Sequence, residues 1–168
     1  ARALPENAPN DEAKDIFKMP PFLEKMLENK WLGDKTGQGF YKKVKGEKGK
    51  SEILTLNLDT MEYGPKQKSK FATIETAKPI DDLNQRLKAL YAGQDKAGEF
   101  YKLFHHMLFA YASNRIPEIA DELYKIDDAL KAGFGWEIGA FESWDVLGVR
   151  KVLERMDAAG IKGADWVK

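Results

Sequence analysis

The chain has 168 residues, enough for one domain or a domain with an appended segment, and enough to bury a real core. Lysine plus arginine and aspartate plus glutamate stand at 27 each, so no net field steers the protein toward nucleic acid or an anionic membrane. Cysteine is absent, which excludes a disulfide framework and thiolate metal sites and suits a reducing, cytoplasmic setting.

The first residues, Ala1-Arg2-Ala3-Leu4-Pro5, lack the charged and apolar regions of a signal peptide and read as the cut edge of a longer chain. Asn10, before Asp11 and Glu12, is placed to cap a helix that Pro20-Pro21 interrupts and restarts. On the second helix Phe22, Leu23, Met26 and Leu27 make one apolar stripe, and Gly33 is its expected stop. Residues 39–41, 53–58 and 61–63 then predict a small antiparallel meander. The lysine-rich stretch 42–50 reads as a solvated hairpin loop, since Glu47 offsets its charge and no aromatic is interleaved at 45–50. From Tyr63 to Pro79 the chain reads as a polar connector.

Helix resumes near Asp81, with Leu83, Leu87, Leu90 and Tyr91 on one face and Gly93 closing it. A longer helix is predicted from Asp95 to Arg115. Its wide stripe of Phe100, Leu103, Phe104, Met107, Leu108 and Tyr111 is expected at the centre of the core. The two histidines, His105 and His106, lie on it; neighbours on a helix point about 100° apart, so one is expected at the surface and one packed, an arrangement unsuited to a metal. Pro117 should kink or restart the chain, a short helix over 127–133 should close at Gly133, and helices over 141–147 and 149–159 complete the set. Trp166 is expected to dock the tail. The apolar run Leu103–Ala112, broken by the histidine pair, is too short for the roughly 20 residues of a membrane span.

Two glycine-rich stretches invite a nucleotide-binding reading, and both fail it. In Gly133-Phe134-Gly135-Trp136-Glu137-Ile138-Gly139 the last glycine comes one residue late for a dinucleotide fingerprint, and the stretch follows a helix rather than a strand. Gly33-Asp34-Lys35-Thr36-Gly37 lacks the spacing of a phosphate loop. No serine or threonine stands near the histidines at a spacing that builds a nucleophile–base pair, and the carboxylate pairs Asp81-Asp82 and Asp127-Asp128 are read as helix N-termini, not as acid–base machinery. Residues alone thus describe a mainly α-helical module with a small antiparallel β meander and no chemistry of its own.

Leu32-Gly33-Asp34-Lys35-Thr36-Gly37-Gln38-Gly39-Phe40-Tyr41 resembles the segment that closes the C-terminal domain of 3-hydroxyacyl-CoA dehydrogenases. Ile126-Asp127-Asp128-Ala129-Leu130-Lys131-Ala132-Gly133-Phe134-Gly135 and Gly139-Ala140-Phe141-Glu142-Ser143-Trp144-Asp145-Val146-Leu147-Gly148 resemble that domain's other hallmark, with Ala140 where the common pattern has proline. In one copy the second hallmark precedes the first, whereas here the order is reversed. The resemblance therefore implies the tail of one copy (1–42), a meander and connector (43–94) and most of a second copy (95–168). Such tandem copies are similar to those of multifunctional β-oxidation proteins that also carry enoyl-CoA hydratase, and in the subgroup most like this chain the hydratase would continue past Lys168.

The resemblance implies a helical fold like the C-terminal domain of 6-phosphogluconate dehydrogenase. It also implies that NAD and the catalytic histidine and glutamate belong to a Rossmann domain outside this chain, so that no catalytic, cofactor-binding or metal residue is assigned within it. Asn114-Arg115 echoes a family asparagine but stands in the wrong copy and receives no role. The aromatic loop and the turn before it, Ala132, Gly133, Phe134 and Trp136, are the candidates for the substrate side, facing acyl-CoA together with the missing domain; a packing role for these aromatics is the plainer alternative. Lys35 and Thr36 read as structural punctuation. A homodimer is a candidate assembly, membrane insertion and nucleic acid are not expected, and the rival function is an independent helical interaction or acyl-CoA-binding module without catalysis.

Overall fold

The computed structural model describes residues 3–46 and 50–168, so Glu47, Lys48 and Gly49 of the lysine-rich loop, and the first two residues, lie outside the described residues. The chain divides into two compact units, Ala1–Ser69 and Lys70–Lys168.

The first unit opens with a short helix α1 (Leu4–Asn7) and, in place of the helix expected from Asn10, a single 3-10 turn at Lys14–Phe17. The residue that fixes this turn is Asp11, whose carboxylate accepts the Ala13 N–H at 2.7 Å. Helix α2 (Pro21–Glu28) starts at the proline, as expected, and buries Met26. It stops before Gly33. Lys30 adopts φ 58°, and the N–H groups of Lys30 and Trp31 return to the carbonyls of Leu27 (3.0 Å) and Met26 (2.8 Å). This is the glycine-favouring helix termination of the Schellman type, made here by a lysine.

Strands β1 (Tyr41–Lys45), β2 (Ser51–Leu56) and β3 (Tyr63–Pro65) form an antiparallel sheet in that order, with Lys43 opposite Ile53 and Thr55 opposite both Tyr41 and Gly64. β1 runs further into the lysines than the hydrophobic pattern predicts, because an edge strand tolerates charged residues that keep other strands away. β2 ends earlier, at Leu56, where the Asn57 side chain accepts the N–H groups of Asp59 (2.9 Å) and Thr60 (3.1 Å) and turns the chain.

The second unit is helical: α3 (Ala72–Ala77), α4 (Leu83–Ala92), α5 (Lys96–Asn114), α6 (Leu123–Phe134), α7 (Ala140–Leu147) and α8 (Val149–Ala158). Helix α3 lies inside the stretch that the sequence presented as a connector. It is too short to show periodicity, and it is held instead by Asp95, which caps α5 through Ala97 and Gly98 N–H (both 3.1 Å) while its other oxygen accepts Thr73 N–H at 2.9 Å. These donors, the Thr73 hydroxyl foremost, hold the Asp95 carboxyl down at about 2. Helix α4 matches its expectation, with the Asp82 side chain accepting Gln85 N–H at 2.8 Å and Leu87 and Tyr91 buried.

Helix α5 is present and central, but the opposite face is buried. Gly98, His105, Phe109 and Ala112, spaced 7, 4 and 3 apart, point inward together with His106 and Ser113, whereas Phe100, Leu103, Phe104 and Met107 are exposed. The inner stripe contains glycine, histidine, alanine and serine, so ranking residues by hydrophobicity selects the wrong side. Both histidines are buried, because the packed arc of α5 is wide enough to cover two neighbouring positions. The core gathers Tyr91, Phe109, Trp144, Val152 and Met156, with the rings of Phe109 and Trp144 stacked at 4.9 Å and nearly parallel. Small residues permit the tight junction: a Cβ at Gly98 would stand 2.3 Å from the Gly93 backbone. The tail docks as expected, Trp166 donating its indole N–H to Ser113 C=O at 3.0 Å.

After α5 the chain does not restart at Pro117. The Ile116–Pro117 peptide is cis, and helix resumes only at Leu123. Helix α6 runs through Gly133 to Phe134 and is closed by Gly135 at φ 66°.

Candidate functional site

The four substrate-side candidates lie at the C-terminal end of α6. Ala132 and Gly133 are exposed on its last turn, Phe134 is 74% exposed, and Trp136 is half-buried after the left-handed Gly135. The structure brings Phe134 and Trp136 together, with centroids 6.1 Å apart. Trp136 in turn meets Phe104 at 6.4 Å, and Phe104 stacks with Phe100 at 6.3 Å. A continuous aromatic surface therefore runs from the end of α6 onto the outer face of α5. Phe100 and Phe104, whose spacing predicts a place in the core, belong to this surface instead. The available signal was the stripe of small residues with Phe109 on the other side of α5, Gly98, Ala112 and Ser113, which suits close helix packing.

Beside Phe134 lies a groove of about 370 Å³ lined mainly by Ile119, Ala120, Ile126, Ala129 and Leu130, with Arg115 and Lys125 at its edge. Lys125 pairs with Glu122 at 3.1 Å and Arg115 with Glu118 at 3.0 Å, so both cations are engaged within their own segments.

What holds the aromatic loop is the hallmark stretch itself. Asp127 sits in the middle of α6, not at its start, and its carboxylate accepts the N–H groups of Phe141 (2.8 Å) and Glu142 (3.0 Å), capping α7 from a different helix. Gly139 makes this approach possible, since a Cβ there would fall 2.3 Å from the Asp127 Cβ. Glu142 accepts Gly139 N–H at 2.8 Å and pairs with Lys131 at 2.7 Å, which also reaches Asp128 at 3.2 Å. Burial pushes the Asp127 carboxyl up against the opposing pull of its two N–H donors, while Gly139 N–H and Lys131 hold Glu142 down. Asp127 and Glu142 join α6 to α7, while Asp128 pairs with Lys131 within α6. The set acts as a brace between the two helices.

The Lys-Thr-Gly segment of the first unit is equally structural. The Thr36 hydroxyl accepts Leu32 N–H at 2.9 Å and can donate to Gln38 C=O (3.1 Å) or Gly33 C=O (3.3 Å), while Gly33 N–H bonds Gln38 C=O at 2.9 Å. Gly37 takes φ 77°, and a Cβ at Gly39 would come 2.8 Å from the Gly33 backbone. Lys35 is exposed.

The dinucleotide fingerprint needs a strand that runs through a glycine turn into a helix. Among the described residues the strands are all antiparallel, and β3 leads to α3 through Lys66–Phe71, a stretch without the glycine turn that admits a pyrophosphate. Among the described residues no group of three potential ligands could hold a metal ion, and no helix is long and apolar enough to cross a membrane.

Comparison with known proteins supplies the class: the chain is homologous, along its whole length, to part of a 3-hydroxyacyl-CoA dehydrogenase. The particular relative is a probable 3-hydroxyacyl-CoA dehydrogenase of Bacillus subtilis, 38% identical over 168 residues, which are all of this chain and 20% of that protein. Putative fatty acid oxidation complex trifunctional enzymes of Rickettsia felis and Rickettsia prowazekii match over 140 residues, or 83% of this chain and 17% of theirs, at 29% and 26% identity. The chain thus spans about one fifth of the curated relatives it matches. No protein-family model and no solved structure matches it.

Proposed function

We propose that this chain is a C-terminal, non-catalytic portion of an NAD-dependent 3-hydroxyacyl-CoA dehydrogenase of fatty-acid oxidation, one that braces the catalytic part and helps close over acyl-CoA. The observation that carries the reading is the 38% identity over the whole chain to one fifth of a protein named a probable 3-hydroxyacyl-CoA dehydrogenase. A self-sufficient interaction or acyl-CoA-binding module would not be expected to align from end to end within a much longer enzyme. In this reading residues 1–42 are the tail of one C-terminal copy, 43–94 a meander and connector, and 95–168 most of a second copy, and the remaining part of the enzyme, or a second subunit, supplies the neighbour for the exposed faces.

The aromatic surface of Phe100, Phe104, Phe134 and Trp136 supports that neighbour. Exposed apolar side chains that cluster in this way mark binding faces. Whether Phe134 and Trp136 meet the acyl chain or only protein is decided by kinetics on the full-length enzyme. Phe134→Ala is expected to raise KM for 3-hydroxyacyl-CoA with kcat little changed if the ring binds substrate in ground and transition states alike. An unchanged KM with lowered enzyme stability would assign it to packing. NAD and the proton-transferring residues reside outside this chain in this reading, so the purified chain should neither bind NAD in calorimetry nor turn over 3-hydroxyacyl-CoA. NAD-dependent turnover that survives further purification and scales with the chain would overturn it.

A further inference from the structure

The two histidines are used neither by the brace nor by the aromatic surface. The Tyr91 hydroxyl of α4 meets His106 Nε2 at 2.7 Å, and the Arg155 guanidinium of α8 lies over the Tyr91 ring at 5.4 Å. His105 Nδ1 bonds the Tyr101 carbonyl at 2.7 Å, which makes that nitrogen the protonated one. Its ring is surrounded by Phe104 (5.3 Å), Phe109 (5.5 Å), Tyr91 (6.3 Å) and Tyr101 (6.3 Å). Both imidazoles are 6% exposed.

We propose that His105 and His106 form an acid-sensitive clasp joining α4, α5 and α8, so that proton uptake at the pair opens the core of the second unit. The bonding pattern gives the first reason. The buried Tyr91 hydroxyl keeps its proton and can donate it to His106 Nε2 in the tautomer that carries its own proton on Nδ1. A protonated His106 would present a second donor to that hydroxyl and force it to turn. The second reason is charge: the groups that act on His106 are Arg155 from α8, Lys102 from α5 and a charged His105, all cations, while from α4 the Tyr91 phenol meets it. Lys102 is itself fixed to Gly93 C=O at 2.5 Å and cannot simply swing away. On the His105 side the surrounding groups are uncharged rings and one carbonyl already in use. Burial accordingly holds both histidines below their ordinary value of 6.5.

A histidine whose folded value lies below its unfolded one contributes full stability above the ordinary value and loses it as pH falls beneath that value, because the unfolded chain binds more protons. The pair shares a wall with the aromatic surface through Phe104, so opening the clasp would also disorganise the outer face of α5.

The chain has no other histidine, which makes the test direct. Urea unfolding of the whole chain would be followed between about pH 7.5 and about pH 5.5 by the two imidazole Cε1–H signals, which report only the second unit. Expected are imidazoles that stay neutral while folded, and a folded-to-unfolded ratio that falls with acid, approaching about a hundredfold per pH unit where two protons are taken up. A double variant, His105→Gln with His106→Gln, keeps an acceptor for Tyr91 without titrating and should flatten this dependence. Imidazoles that titrate at the ordinary value with the core intact, or a wild-type ratio that does not change across the range, would overturn the proposal. Those two readings need no variant and stand even if the double substitution fails to fold.

Discussion

Phe104 and Phe109 are five positions apart on one helix and differ in everything that matters for stability. Phe109 is fully buried against Trp144, whereas Phe104 is 41% exposed. Phe109→Ala should cost about 3–5 kcal/mol in denaturant unfolding, as large-to-small core substitutions do. Phe104→Ala should cost less than about 2 kcal/mol, since much of its ring already meets water. Equal losses at the two sites would mean that the outer face of α5 is packed after all. Asp127 is the other decisive residue. Asp127→Ala strands the N–H groups of Phe141 and Glu142 and is expected to lower stability by about 1–3 kcal/mol. A loss confined to a few tenths would show that solvent replaces the carboxylate without cost.

At the level of elements, the terminations are what hold the helices in place. Lys30 occupies a left-handed position that costs a side-chain-bearing residue roughly 1–2 kcal/mol, so Lys30→Gly should leave α2 as stable or raise unfolding stability by up to about 1 kcal/mol after the added freedom of the unfolded chain is subtracted. A clear destabilisation would argue against the left-handed turn. The α4–α5 junction predicts the opposite sign for the reverse exchange. Gly98→Ala places a methyl 2.3 Å from the Gly93 backbone and must push α5 away from the turn that Asp95 ties to α3. It should destabilise despite alanine's better helix propensity, which is worth roughly 1 kcal/mol in the other direction. Thermal melts of the two variants check both signs.

The whole molecule consists of two units joined through a stretch of exposed, lysine-rich chain at 66–70. Trypsin at limiting concentration should therefore cut at Lys66, Lys68 or Lys70 and leave a fragment beginning near residue 70 that retains helical circular dichroism. Cleavage within α5 or α8 at comparable rates would show that the second unit is not a stable folding unit. The second unit has its own core around Phe109 and Trp144, and the first is organised around Met26, Leu56 and the three-stranded sheet. Both expose apolar side chains, including Leu32 and Phe40 in the first and Phe100 and Phe134 in the second.

The sequence by itself determined the class: mainly helical, with a small antiparallel sheet, no glycine turn for a dinucleotide, and two motifs shared with 3-hydroxyacyl-CoA dehydrogenases. It also determined where α2 and α4 begin, because Pro21 and Asp82 act through local backbone chemistry. The tertiary structure decided which side of α5 is inside. The outer stripe is the more hydrophobic, and only the close approach of α3, α4 and α7 selects the one built from Gly98, His105, Phe109 and Ala112. It likewise decided that Asp127 caps a helix 14 residues away and that α3 exists at all, since both depend on hydrogen bonds between segments far apart in the chain. Local signals carry the information that a helix begins. Which face it buries is a property of its neighbours, and no window along the sequence contains them.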